Sequence, residues 1–132
     1  MQKSVLIIED NTEVKALLRF VVQKEGYIPY EAENGRKALV LLGLENPISE
    51  EEKKLPKLPD LILLDIMLPE IDGYTFITKL QSDTETSKIP IIIVTAKQSV
   101  ADLFITFPNI RHFFTKPFDI RILREKIKEI LG

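Results

Sequence analysis

The residues best suited to chemistry come directly after the apolar runs of this chain. Glu9 and Asp10 follow the run VLII, Asp65 follows LILL, Thr95 follows IIIV and Lys116 follows HFFT. Mg²⁺ prefers carboxylate oxygens, and a carboxylate can also attack a phosphoryl group. An ammonium and a hydroxyl can stabilise phosphoryl oxygens, because phosphoryl transfer needs mainly positioning and charge neutralisation. This set of residue types suits phosphoryl chemistry, provided that the fold brings the five side chains together.

A cluster of three carboxylates needs more compensation than one lysine supplies. Two carboxylates about 4 Å apart repel by roughly 4 kcal/mol at an effective dielectric of about 20. An exposed ion pair returns only about 0–1 kcal/mol. A divalent cation with oxygen ligands compensates better, and Mg²⁺ matches the donors. The chain has no cysteine and one histidine, which excludes a thiolate or multi-histidine metal site.

Each of these residues also has an ordinary structural role open to it. Asp10 could help to cap a helix, Asp65 could lie in a turn, Thr95 could cap a helix and Lys116 could be a surface charge. These roles do not explain why all four fall at the carboxyl ends of apolar runs. The joint placement therefore favours a site.

Five short runs are predicted to form the strands that position these side chains. They lie at residues 5–8, 28–32, 61–64, 91–94 and 112–115. Three of them are almost continuously apolar, as in parallel strands covered on both faces. The run IPYEA contains Pro29, which cannot donate to a ladder, so this strand is expected at a sheet edge.

Helical patterns fill the intervals between the runs. We predict helices after Asn11, after Asn34, over about 74–80, near 98–106, and after Asp119 to the end. Alternating strands and helices predict an α/β fold, a doubly wound parallel sheet with helices on both faces. Ligands of such sheets bind at the carboxyl edge of the strands, where the polar residues fall.

Composition limits the remaining possibilities. The 132 residues suit a single domain over 1–132, and the net charge of −2 gives no general attraction to nucleic acid or anionic membranes. No apolar stretch could span a bilayer and the N-terminus lacks signal-peptide features, so we expect a cytoplasmic location. Residues 45–59, with three prolines, an acidic triplet and three lysines, predict an exposed loop insertion. Preceding the third strand, it should lie opposite the site and affect the chemistry little.

Four segments resemble the receiver domain of two-component response regulators. They are IIED (7–10), LILLDIMLPEIDG (61–73), PIIIVTA (90–96) and TKPF (115–118). The resemblance covers essentially the whole chain. It implies a flavodoxin-like sheet of five strands in the order 2-1-3-4-5, which agrees with the edge position expected for the Pro29 strand.

The resemblance also implies roles for individual residues. Asp65 would accept a phosphoryl group from a phosphohistidine of a sensor histidine kinase or histidine phosphotransfer protein. Glu9, Asp10, Asp65 and the backbone carbonyl of Met67 would hold Mg²⁺. Lys116 would bind the phosphoryl group. In addition, Thr95 and Phe113 match the family's switch positions, and Met67 and Lys97 match the positions that tune the lifetime of the acyl phosphate.

Such a protein is a regulator that catalyses only its own phosphorylation and dephosphorylation. Phosphorylation would draw in the switch residues and reshape the surface of the fourth and fifth helices. A homodimer that depends on phosphorylation is a further candidate state. We expect no direct contact with nucleic acid or a membrane. The sequence leaves open whether the regulator stands alone or is one domain of a longer protein.

The sequence departs from the family pattern in the segment before the last strand. Pro108 should end any helix there, so the fourth helix is expected to be short or displaced.

An aspartyl phosphohydrolase usually has a second acid two residues after its nucleophile, where this chain has Met67. An interaction module with a silent site is disfavoured by the intact reactive set. His112 could carry a phosphoryl group, but a structural role is the stronger reading.

Overall fold

A computed structural model describes residues 2–96 and 106–132 of the chain. Five parallel strands form one sheet in the order β2-β1-β3-β4-β5. The strands are β1 Ser4–Ile8, β2 Ile28–Ala32, β3 Leu61–Leu64, β4 Ile91–Thr95 and β5 Ile110–Thr115. Both the predicted strand order and the edge position of the Pro29 strand are confirmed.

Four α-helices lie in the described residues. They are α1 Thr12–Lys24, α2 Gly35–Leu41, α3 Gly73–Gln81 and a C-terminal helix Ile120–Leu131. The predicted caps Asn11, Asn34 and Asp119 each accept a backbone N–H of the helix that follows, and Asp72 does the same for α3. The helix predicted near 98–106 lies almost wholly outside the described residues. No described helix has the length and apolarity needed to cross a membrane.

The sheet is covered on both faces, which explains its nearly continuous apolar strands. Leu6, Ile62 and Ile93 belong to one core cluster with side chains of α2 and α3. Val5 and Ile92 belong to a second cluster with side chains of α1 and the C-terminal helix. Because neighbouring strand residues point to opposite faces, β1, β3, β4 and β5 supply both clusters, and the parallel strands end at the same edge of the sheet.

The insertion of residues 45–59 has no regular structure but is attached to α2. Most of its side chains are exposed, whereas Leu55 is buried and donates its N–H to the carbonyl oxygen of Leu41 at 2.8 Å. Glu52 forms a bidentate ion pair with Arg36 in the first turn of α2 and accepts a hydrogen bond from the Ile48 N–H at 3.1 Å. Part of the insertion therefore reaches back toward the carboxyl edge of the sheet, unlike the position expected from its place in the chain.

We predict that this ion pair persists to unusually low pH. The hydrogen bonds from Arg36 lower the pKa of Glu52 to about 2, against about 4.3 for an ordinary glutamate. A lowered pKa means that the pair's contribution is complete above the ordinary value and is lost as the pH falls through the folded value. Carboxyl-carbon NMR should give a Glu52 midpoint near pH 2, and Arg36→Met should return it to the ordinary range. An ordinary midpoint in the wild type would contradict the pair.

Candidate functional site

Reactive side chains from separate strands meet at the carboxyl edge of the sheet. Glu9 follows β1, Asp65 follows β3 and Lys116 follows β5. The Lys116 ammonium Nζ donates to Glu9 Oε1 at 2.7 Å and to Asp65 Oδ2 at 3.0 Å. These partners lie 107 and 51 residues away in sequence. The parallel sheet therefore creates a contact that no local segment of the chain could make.

Asp65 is fixed from both sides. Its side chain is 6% exposed, and its second oxygen, Oδ1, accepts the backbone N–H of Met67 at 2.9 Å. Its own N–H donates to the Ile8 carbonyl at 3.1 Å, which continues the β1–β3 ladder by one step. Both carboxylate oxygens thus have donors, as a buried charge requires.

Glu9 lies deeper than Asp65 and is 1% exposed. Its Oε2 accepts the N–H of Asn11 at 3.1 Å, while Lys116 occupies Oε1. Burial raises the pKa of Glu9, although the hydrogen bonds from Lys116 and Asn11 oppose this. Desolvation disfavours the charge of Lys116, but its hydrogen bonds to Glu9 and Asp65 outweigh desolvation and raise its pKa. The lysine is therefore held as a cation between two acids.

The three acids also form a group suited to a hard cation. One carboxylate oxygen from each of Glu9, Asp10 and Asp65 lies within 4.8 Å of the others. Asp10 is exposed, so the group opens to solvent on its side. All-oxygen donors at this spacing fit a magnesium ion better than a transition metal.

Met67 lies at the mouth of this group. Its side chain is 57% exposed and lines a cavity of about 550 Å³ together with Asp10 and Tyr74. Gly73 closes the loop behind it, since its N–H donates to the Ile66 carbonyl at 3.0 Å. A Cβ at position 73 would lie 2.7 Å from the Ile66 Cα, so the close approach requires glycine.

Thr95 and Phe113 lie on β4 and β5, the next two strands of the sheet after β3. Thr95 ends β4 and is fully buried, and its carbonyl oxygen accepts the Lys116 N–H at 2.8 Å. Phe113 is partly buried against the core cluster under α2 and α3. Lys97 lies outside the described residues. His112 Nε2 lies 3.7 Å from Glu129 Oε2 of the C-terminal helix, and desolvation lowers the pKa of His112. These surroundings favour a structural role for His112.

One aromatic contact near the site carries no signal in the sequence. The rings of Tyr74 and Phe107 meet edge to face at 5.5 Å and 66°. The sequence predicts Tyr74 only as the start of a helix. Phe107 precedes Pro108, in the segment where the sequence differs from the family pattern. Gln81, at the other end of α3, donates to Asn109 at 2.7 Å. The segment before β5 is thus held against both ends of α3.

The fold and the site together define a class of protein: a doubly wound α/β domain with an acid–lysine centre at the carboxyl edge of its sheet. The family model of the response regulator receiver domain matches residues 5–128. The chain belongs to this family, whose members are phosphoacceptor signalling domains.

Known relatives agree with this assignment. The polar-differentiation response regulator DivK of Brucella anthropi is 35% identical over 133 residues, covering 100% of this chain and 98% of DivK. The transcriptional regulator RpaA of Synechocystis is 30% identical over 128 residues, which cover 96% of this chain but 48% of RpaA. The receiver domain of a histidine kinase from Syntrophus aciditrophicus has a TM-score of 0.77 at 27% identity, covering 98% and 89% of the two chains. The chain therefore spans about half of some relatives and nearly all of others.

Proposed function

We propose that Asp65 accepts a phosphoryl group from a phosphohistidine of a sensor histidine kinase or a histidine phosphotransfer protein. One observation carries the proposal: the ammonium of Lys116 contacts Asp65 and Glu9 at once, beside the exposed carboxylate of Asp10. A permanent ion pair needs one acid for one base. Here Glu9 and Asp65 share one lysine and Asp10 adds a third carboxylate, so negative charge remains that a metal ion can neutralise.

The transfer uses groups that the chain already holds in place. A carboxylate oxygen of Asp65 forms a bond to phosphorus while the bond from phosphorus to the imidazole nitrogen breaks, and the imidazole leaves with that electron pair. Lys116 neutralises a phosphoryl oxygen, and the Met67 N–H supplies a further donor beside Asp65. Glu9, Asp10, Asp65 and the Met67 carbonyl would hold Mg²⁺, which would further neutralise the phosphoryl oxygens when bound.

Phosphorylation then acts as a conformational switch. It replaces one negative charge by about two and adds acceptor oxygens. The Thr95 hydroxyl turns toward them, and Phe113 fills the space that is released. Met67 and Lys97, two residues after Asp65 and Thr95, set how readily water reaches the acyl phosphate, so the chain controls its own dephosphorylation. The protein is a cytoplasmic regulator and turns over no external substrate.

Magnesium-dependent labelling tests this function. The wild type, incubated with acetyl phosphate and Mg²⁺, is expected to gain the mass of one phosphoryl group, because the small donor replaces the kinase. Excess chelator should abolish the gain, and Glu13→Gln, which removes an exposed carboxylate of α1, should leave it unchanged. Intact-protein mass spectrometry measures all three. No gain with Mg²⁺ present, in a folded sample, would refute the proposal. Continuous phosphate release from excess phosphate esters would indicate a hydrolase instead.

A further inference from the structure

The insertion of residues 45–59 and the β3–α3 loop of residues 65–72 both contact the first turn of α2. On the insertion side, Arg36 pairs with Glu52 through both terminal guanidinium nitrogens, Nη1 and Nη2, and the two side chains are only 23% and 15% exposed. Glu52 is also tied to its own segment by the Ile48 N–H. This is a bidentate, largely shielded pair, unlike the exposed ion pairs of long surface side chains.

On the other side, α2 touches the β3–α3 loop directly. A Cβ added at Gly35 would lie 3.2 Å from both the Cβ and the carbonyl oxygen of Ile71. Glu70, the residue before Ile71, has a φ of 68°, which is uncommon for a residue with a side chain. The Ile71 N–H donates to the Pro69 carbonyl across this turn at 2.8 Å. The negative charge of Glu70, like the contact with Glu52, raises the pKa of Arg36.

From these contacts we infer that Arg36 is a positioning residue for the β3–α3 loop, shared between Glu52 of the insertion and Glu70 of the loop. The loop begins at Asp65 and carries Met67, so this inference rests on the proposed function of that site. In the present arrangement Arg36 is held by the insertion. When Glu52 is withdrawn, Arg36 turns to Glu70 and fixes the far half of the loop. The insertion thereby sets how firmly the Met67 carbonyl is presented to a metal ion.

Magnesium titration separates this role from a purely structural one. Calorimetry with Mg²⁺ alone should show at least threefold tighter binding to Glu52→Gln than to the wild type, because the released Arg36 orders the loop beforehand. The double variant Glu52→Gln with Glu70→Gln should return to the wild-type affinity, since the loop carboxylate to which Arg36 would turn is then gone. Glu51→Gln, a neighbouring exposed carboxylate of the insertion, should bind as the wild type does.

Each outcome decides the matter. Equal affinities for Glu52→Gln and the wild type, or for Glu52→Gln and the double variant, would overturn the role of Arg36. If Glu52→Gln does not fold, Glu52→Asp replaces it, because this change shortens the side chain but keeps its charge. The affinity of Glu52→Asp for Mg²⁺ should exceed that of the wild type by less than threefold. An unchanged affinity there would likewise overturn it. Should the wild type bind Mg²⁺ yet accept no phosphoryl group, the proposed function fails while the Arg36 result stands.

Discussion

Asp65→Asn is expected to take up no phosphoryl group from acetyl phosphate and Mg²⁺ under conditions that label the wild type completely. The amide oxygen is a poor nucleophile, and within residues 2–96 and 106–132 the other carboxylate that contacts Lys116 is that of Glu9, which lies deeper. The variant should be at least as stable as the wild type at pH 7. It loses one ion pair, but Lys116 keeps Glu9 as its partner, and the repulsion among the three acids is relieved.

Intact mass and urea denaturation measure these two effects separately. Asp10→Asn is the matched control, because it removes one acid of the cluster but keeps the acceptor. This control should still be labelled when the Mg²⁺ concentration is raised. A phosphoryl adduct on Asp65→Asn would place the acceptor elsewhere, and a destabilised Asp65→Asn would show that the carboxylate is needed for folding.

Lys116→Met should lose both labelling and stability. Methionine keeps the length of the side chain but leaves Glu9 Oε1, in a residue that is 1% exposed, without its donor. Removing one partner of a buried pair costs about 3–5 kcal/mol, and the opening beside Asp10 favours the lower end of that range. The loss should shrink as the pH falls, because burial already raises the pKa of Glu9 and a protonated Glu9 needs no cation.

Mg²⁺ should restore much of this stability without restoring labelling. The vacated carboxylate oxygens become available to the metal ion, and a ligand bound only by the folded state stabilises it. Thermal unfolding with and without Mg²⁺ should therefore give a larger increase in Tm for Lys116→Met than for the wild type. Lys88→Met, in the turn before β4, serves as the control. Equal stability of Lys116→Met and the wild type without metal would contradict the buried geometry.

The sheet and its reactive edge could be predicted because they depend on simple periodicities. Strands such as 61–64 are apolar on both faces, which is possible only between two layers of helices. Pro29 placed its strand at the edge by the lack of a donor. Once the strands were parallel, the residues after them had to share one edge, so Asp65 and Lys116 met despite their separation in sequence.

The attachment of the insertion could not be predicted, because it depends on contacts between distant residues. The pattern of prolines and charges in 45–59 indicated only an exposed loop. Nothing in it selects Glu52 among three consecutive glutamates, or Arg36 as its partner. The edge-to-face contact between Tyr74 and Phe107 was equally invisible, since it forms only after α3 and the segment before β5 have packed together.

The central claim is that one carboxylate, that of Asp65, carries the phosphoryl group, and reduction of the labelled protein tests it most directly. Borohydride converts an aspartyl phosphate to homoserine and leaves free carboxylates intact, so peptide mass spectrometry identifies the residue that held the group. We expect homoserine at position 65 and nowhere else. Homoserine at position 10, or a phosphoryl group that survives on His112, would contradict the account.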